Sequence, residues 1–183
     1  VPAARTEQIE EAARLNLRML SPIEWETAYA DWQKIGVTAN ADGSVDALGA
    51  FVEARVADAY HASLRAAGFL PVAIEFASLS LSRALAAAAD MGSADTPYLV
   101  VNLAGDGMML LAVQAGTSQF TEFTGWEAFS KSASEGQVTL AQFQSVLGVA
   151  IRRFLNFYRA RFHTDITKAL VVNATSNKEV AEW

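Results

Sequence analysis

Apolar residues in the first half of the chain switch between helical and strand spacing. Ile9, Ala13 and Leu17 are four apart and Leu20 follows at three, which predicts a helix capped by Thr6 and running to about Leu20. Pro22 ends it, because the residue before a proline is pushed out of the helical region. Ala28 to Ile35 reads as extended, with Tyr29, Trp32 and Ile35 available to pack. Asn40 to Ser44 is a turn cluster, and Val45 to Ala54 reads as a strand. A helix from about Arg55 to Ala67 places Val56, Tyr60 and Leu64 on one face and stops at Gly68. Leu70 to Phe76 is predicted as another strand, starting near Pro71. Ser78 or Ser80 is predicted to cap a helix ending at Gly92.

The second half opens as a meander. Tyr98 to Leu103 leads through Ala104 to Gly107 into Met108 to Gln114, and Ala115-Gly116 turns the chain into Gln119 to Thr124. The first two of these strands are apolar at both parities, the pattern of central strands covered on both faces. Ser130 to Gln137 is polar and reads as a loop. Thr139 starts the longest helix, to about Phe162. Its stripe of Leu140, Phe143, Leu147, Ile151, Phe154, Leu155, Tyr158 and Phe162 recurs at three and four. Phe143, Leu147, Ile151, Phe154 and Tyr158 are expected inward, and Arg152, Asn156 and Arg159 outward. A last strand, Ala169 to Asn173, precedes a helix start near Lys178.

Helices alternating with strands, plus an antiparallel meander, give an α/β or α+β architecture. A seam near residue 70 divides a small helix–strand–strand–helix unit, 1–69, from a larger unit, 70–183. The 183 residues allow one domain or two small ones. At 52% hydrophobic and 19% charged, the chain is poorer in charge than an average soluble protein at roughly 25%, so disorder is not expected. The net charge of −6 argues against nucleic acid or an anionic membrane surface as partner. Residues 1–93 carry seven Lys/Arg against twelve Asp/Glu, and residues 94–183 seven against eight, so the acidity sits in the first half. The absence of cysteine removes disulfides, thiolate metal sites and cysteine nucleophiles. The longest strictly apolar run, Met108 to Val113, is far short of the roughly 18 residues of a membrane helix, so a soluble chain is expected.

Four stretches, in order, carry a resemblance. They are the acidic helix, proline and Tyr/Trp segment of Ile9 to Gln33; VADAYHASLRAAGFLPVAIEFASLSLSRAL from Val56 to Leu85; TPYLVVNLAGDGMMLLAVQAG from Thr96 to Gly116; and AIRRFLNFYRARF followed by ITKALVVNA, ending at Ala174. The chain resembles the actin-like pilus-assembly proteins of the PilM type, and more distantly the cell-division protein FtsA and the type II secretion L protein. The resemblance implies a ribonuclease H-like core segment with a small inserted α/β subdomain. It spans nearly the whole chain, but the family's first phosphate-binding hairpin, which lies upstream of such a segment, has no match here. A fragment or a reduced member is therefore expected.

An actin-like ATPase needs glycines where backbone N–H groups approach phosphate, and a carboxylate for the magnesium shell. The family's Asp-x-Gly in its second phosphate hairpin falls on Asn102 and Ala104, with Gly105, Asp106 and Gly107 following. Asn102 carries no negative charge, and Ala104 adds a Cβ. The plainer reading of Ala104 to Gly107 is a hairpin turn in which glycines flanking Asp106 take positive φ. The family's adenosine-side Gly-Gly falls on Ala174 and Thr175. Hydrolysis by this chain alone is not expected. His61 and His163 lie far apart with no supporting ligand pattern, so no metal site is expected. No Gly-x-Ser-x-Gly or complete Gly-x-Gly-x-x-Gly motif occurs. Arg152, Arg153, Arg159 and Arg161 crowd the end of the long helix. They read either as pairing with acidic neighbours and the helix terminus, or as a docking patch for an acidic partner.

Two functions follow, from different classes. The first is a non-catalytic cytoplasmic scaffold of a type IV pilus or type II secretion platform, with no cofactor. It would sit at the inner membrane without inserting, through the cytoplasmic tail of an inner-membrane protein, with homodimerisation left open. Residues between about Tyr29 and Phe76 would border the groove for that tail. The second is a nucleotide-binding ATPase using ATP and magnesium, completed by an upstream segment, with Asp106 replacing the lost aspartate. An unrelated small-molecule enzyme stays open as a third class.

Overall fold

The computed structural model describes residues 6–35, 46–88, 96–130 and 140–173. The chain divides into two compact units, Val1–Phe76 and Ala77–Trp183, where the sequence pattern placed the seam at 69/70. The expected Thr139 start and polar loop, the Asn40 to Ser44 turn, the Gly92 helix end and the helix near Lys178 fall outside the described residues.

In the first unit, helix α1 (Thr6–Leu20) leads through a single 3-10 turn at Trp25–Thr27 into strand β1 (Ala28–Lys34), which pairs antiparallel with β2 (Ala47–Glu53). Leu17 is buried, and it packs so closely over Gly49 of β2 that a Cβ there would lie 2.5 Å from Leu17 Cδ2. Helix α2 (Ala54–Ala66) follows directly. It ends at Gly68 with φ +87°, where the Phe69 N–H donates to Leu64 O and the Gly68 N–H to Arg65 O, both at 3.0 Å. This is the left-handed terminator predicted from the sequence.

Leu70 to Phe76 does not form the expected strand. It joins neither sheet, and β1 and β2 pair only with each other. The alternating pattern is there, but the segment pairs with neither open edge of the β1–β2 sheet, and alternation without a pairing partner does not make a strand.

In the second unit, helix α3 (Ala77–Ala88) begins before both serines expected to cap it. Ser78 and Ser82 are instead buried within it, and the Ser82 hydroxyl donates to Leu79 O. Strands β3 (Tyr98–Leu103), β4 (Gly107–Gln114) and β5 (Thr117–Gly125) form the antiparallel meander. After the short α4 (Trp126–Ser130) and long α5 (Leu140–Phe162), β6 (Ala169–Asn173) pairs parallel to β3, giving the order β5-β4-β3-β6.

The double-sided apolarity of β3 and β4 is used as expected. Leu99, Val101, Leu103, Met108 and Leu110 form one core with Phe154 and Tyr158 of α5. Val100, Leu111 and Val113 form another, closed by Leu81 and Leu85 of α3. Phe154 and Tyr158 are buried, while Arg152, Asn156 and Arg159 are exposed, as the helical stripe predicts. The β4–β5 hairpin closes on Ala115 (φ +48°) and Gly116 (φ +71°), between the paired Gln114 and Thr117. Two positive φ values in a two-residue loop match the right-handed twist of the strands.

Candidate functional site

The expected hairpin turn forms, and Trp126 ties it down. The Ala104 N–H donates to Gly107 O at 2.9 Å, the Trp126 indole Nε1–H donates to Ala104 O at 2.9 Å, and the Trp126 N–H donates to Asp106 O at 3.2 Å. The indole stands 6.0 Å from the Phe143 ring, joining the turn to the start of α5. Neither Gly105 nor Gly107 has positive φ, contrary to the expectation for the glycines flanking Asp106. Gly107 answers a different need. A Cβ there would meet Thr124 O at 2.5 Å and the Phe123 ring at 2.6 Å, so β5 approaches too closely for any side chain. Gly105 faces open space.

Asn102 is half-buried in β3, in register with Met109 on one side and Val172 on the other. Asp106 and Gly105 are exposed at the tip. Leu103 and Asn173 are register partners at the carboxyl ends of two parallel strands, so the chain leaves β3 and β6 at the same edge of the sheet. Open α/β sheets bind ligands outside such ends. Ala174 and Thr175 lie outside the described residues. Among the described residues no group of His, Asp and Glu could hold a metal ion.

Arg159 and Arg161 lie in the last turn of α5, toward the opposite edge of that sheet where β6 begins, and Arg152 and Arg153 lie nearer the middle of the helix. Arg153 pairs with Glu122 of β5, and Arg159 Nε donates to Asp165 Oδ1 at 2.5 Å. That hydrogen bond, and then the carboxylate's charge, raises the Arg159 pKa above its ordinary value. The Arg161 guanidinium stands 5.6 Å from the centre of the Phe162 ring. Arg152 has no partner among the described residues. Arg152 and Arg159, seven apart, share a helix face, and Arg161, two further on, points to the other side. The four do not converge on one patch. His163, at φ +52°, ends α5, and its N–H donates to Arg159 O.

Three concavities stand out, and the largest, about 680 Å³, lies between α1 and β1 in the first unit, lined by Glu10, Arg14, Leu17, Trp25 and Trp32. In the second unit an apolar cleft of about 340 Å³ lies between α5 and the β6 side of the sheet, lined by Leu147, Ile151, Leu155, Ile166 and Val171. In the first unit a groove of about 320 Å³ runs between α2, the β1–β2 pair and residues 71–74. Its walls include Val52, Ala57, Pro71, Val72 and Ile74, and its polar groups are Tyr29, Asp58 and His61. The Tyr29 hydroxyl donates to Asp58 Oδ1 at 3.1 Å, and this hydrogen bond, with the nearby negative charge, raises the Tyr29 pKa. Burial alone raises those of Tyr98 and Tyr158 in the other unit.

Sequence reasoning read Trp126 as a core or seam tryptophan without linking it to the turn, and it did not join Tyr29 to Asp58. Trp126 was legible in principle: Gly107 pairs with Gly125 across the meander, so the residue after β5 must emerge beside the turn. Tyr29 and Asp58 are 29 residues apart, and no local pattern joins them.

No family model matches the sequence, and no curated protein matches it significantly. Among solved structures, the chain is similar to a chain of the PilM-PilN type IV pilus biogenesis complex. The TM-score is 0.65 at 17% identity, over 96% of this chain and 58% of that one. A Bacteroides thetaiotaomicron protein with actin-like ATPase fold and unknown function aligns over 94% of this chain and 55% of that one, with a TM-score of 0.41 and 9% identity. The chain thus has the mixed α/β fold that its sequence led us to expect and shares its fold with the PilM-PilN chain, and it spans a little over half the length of these neighbours. Among the described residues no helix is long and apolar enough to cross a membrane.

Proposed function

We propose that the chain is a non-catalytic cytoplasmic scaffold of a type IV pilus or type II secretion assembly platform, holding the short cytoplasmic tail of an inner-membrane protein. The observation that carries this reading is the likeness to the PilM-PilN complex over 96% of the chain. The groove at Tyr29, Asp58 and residues 71–74 supports it, since it lies within the stretch from Tyr29 to Phe76 expected to border the tail. The chemistry of the hairpin supports the non-catalytic part. Asn102 offers no charge for a magnesium shell, Ala104 carries a Cβ, and the Ala104 N–H is committed to Gly107 O rather than open to a phosphate.

The test is capture of the purified chain by immobilised cytoplasmic tails of pilus and secretion inner-membrane proteins. Saturable capture by one class of tail is expected, and failure with every tail overturns the reading. A second reading, a nucleotide-binding ATPase completed by an upstream segment, is favoured by one observation: the parallel β3 and β6 end together, where such sheets bind ligands. Asp106 would then supply the carboxylate. Calorimetry with Mg-ATP separates the two, because saturable micromolar binding would put the ATPase in place of the scaffold.

A further inference from the structure

The first unit exposes a run of large apolar side chains next to its groove. Phe69 is 67% exposed, Leu70 73%, Val72 92% and Ile74 53%. Residues 70–74 make no backbone hydrogen bond among the described residues, so the carbonyls and, Pro71 apart, the N–H groups are open to an added chain. A groove of about 320 Å³ holds a few side chains of an extended peptide but not a helix, which is roughly 10–12 Å across. An extended peptide fits these features: its backbone can pair with the open groups of residues 70–74, which lie outside either sheet, and pockets for alternate side chains supply selectivity.

The groove also has a sign. Asp58 is its acidic group, and its second carboxylate oxygen has no partner among the described residues, the first taking the Tyr29 hydroxyl. Arg55, the nearest basic residue on α2, is held by Glu53 at 2.5 Å. His61, one turn beyond Asp58, is the other titratable side chain of α2 lining the groove. Residues 1–76 carry eleven Asp/Glu against six Lys/Arg, so the wider field favours a cation as well. Tails on the cytoplasmic side of membrane helices carry an excess of lysine and arginine.

We propose that this groove takes an extended apolar peptide bearing a lysine or arginine, added along residues 70–74, and that Asp58 is the residue that selects the basic side chain. The proposal rests on the tail-docking reading above and adds to it the chemistry of the tail and the residue that reads it. A cation beside Asp58 gains a charge-assisted hydrogen bond that a neutral side chain of equal length does not.

The test is fluorescence anisotropy with the full chain and three labelled synthetic peptides of alternating leucine and asparagine, identical except for a central lysine, norleucine or glutamate. The lysine peptide is expected to bind about tenfold tighter than the norleucine peptide, a difference of about 1.4 kcal/mol, and the glutamate peptide weakest. Asp58→Asn is expected to abolish the lysine preference while leaving norleucine binding, and Asp58→Glu to retain part of the preference. Asp58 is exposed, and circular dichroism of the variants checks that they fold. Equal affinity for the three peptides, or a lysine preference that survives Asp58→Asn, overturns the selectivity and leaves tail docking standing. No binding of any of the three overturns the groove as a peptide site, and tail docking at this place falls with it.

Discussion

The two units treat the same kind of sequence differently. In residues 77–173, β3 and β4 are apolar at both parities, and both faces are covered: Val100, Met108, Leu111 and Val113 are fully buried between α5 and α3. In residues 6–76, the buried apolar side chains among those described are Leu17, Ile35 and Ala57. There a segment with strand-like alternation, Leu70 to Phe76, stays outside any sheet with its large side chains in solvent. Apolar alternation becomes a strand only when a neighbouring edge takes up its hydrogen bonds. Where none does, the same residues are left as a surface that another chain can cover. The second unit is organised around its own core, and the first around what it leaves open.

Truncation should separate the units most sharply. Phe154 is fully buried, and its ring lies 4.9 Å from that of Phe120. Phe154→Ala should cost about 3–5 kcal/mol, read by urea unfolding. Leu64 of α2 is 41% exposed, and Leu64→Ala should cost only about 1 kcal/mol. Equal losses would mean that the two units are equally well filled.

The next largest effect sits in the hairpin turn. Gly107→Ala must push a methyl against Thr124 O and the Phe123 ring, and should cost about 1–3 kcal/mol. Gly105→Ala, two residues away in open space, should change stability by less than about 0.5 kcal/mol. A reversed order would restore the positive-φ account of this turn. At the next hairpin, Ala115 holds a left-handed φ that costs an L-residue about 1–2 kcal/mol. Glycine removes that strain but adds about 0.4–1 kcal/mol of freedom to the unfolded chain. Ala115→Gly should therefore stabilise by roughly 0.5–1 kcal/mol, seen as a raised urea midpoint at unchanged slope.

How far the sequence was legible follows the same division. The meander, the buried face of α5 and the Gly68 stop could be read because period, turn residues and length all agree locally. The placement of left-handed residues could not. Gly-Asp-Gly at 105–107 advertises positive φ and does not use it, whereas Ala115-Gly116 uses it with an alanine. What Gly107 answers is the proximity of β5, which lies outside any local window. At the candidate sites, the arginines of α5 were visible as a cluster by composition. Their partners Glu122 and Asp165, and their spread around the helix, depend on where β5 and β6 fall. The Tyr29–Asp58 contact needs the β1–β2 pair and α2 in place before the two residues can meet.

The smallest expected effect tests the open surface directly. Val72 is 92% exposed, so its methyl groups gain almost nothing from burial within the chain as described. Val72→Thr keeps the shape and the β-branching and changes only polarity. For a residue left in solvent, the stability change should stay within about 0.5 kcal/mol. If Val72 were instead covered in solution, by its own unit or by a second copy, placing a hydroxyl in that apolar contact should cost about 1–3 kcal/mol. Urea unfolding at two protein concentrations distinguishes these cases. A null effect at both keeps residues 70–74 as a free surface. A loss at both would place the segment inside the fold, and a loss that grows with concentration would place it in a self-association contact. Either loss would erase the difference between the two units drawn here.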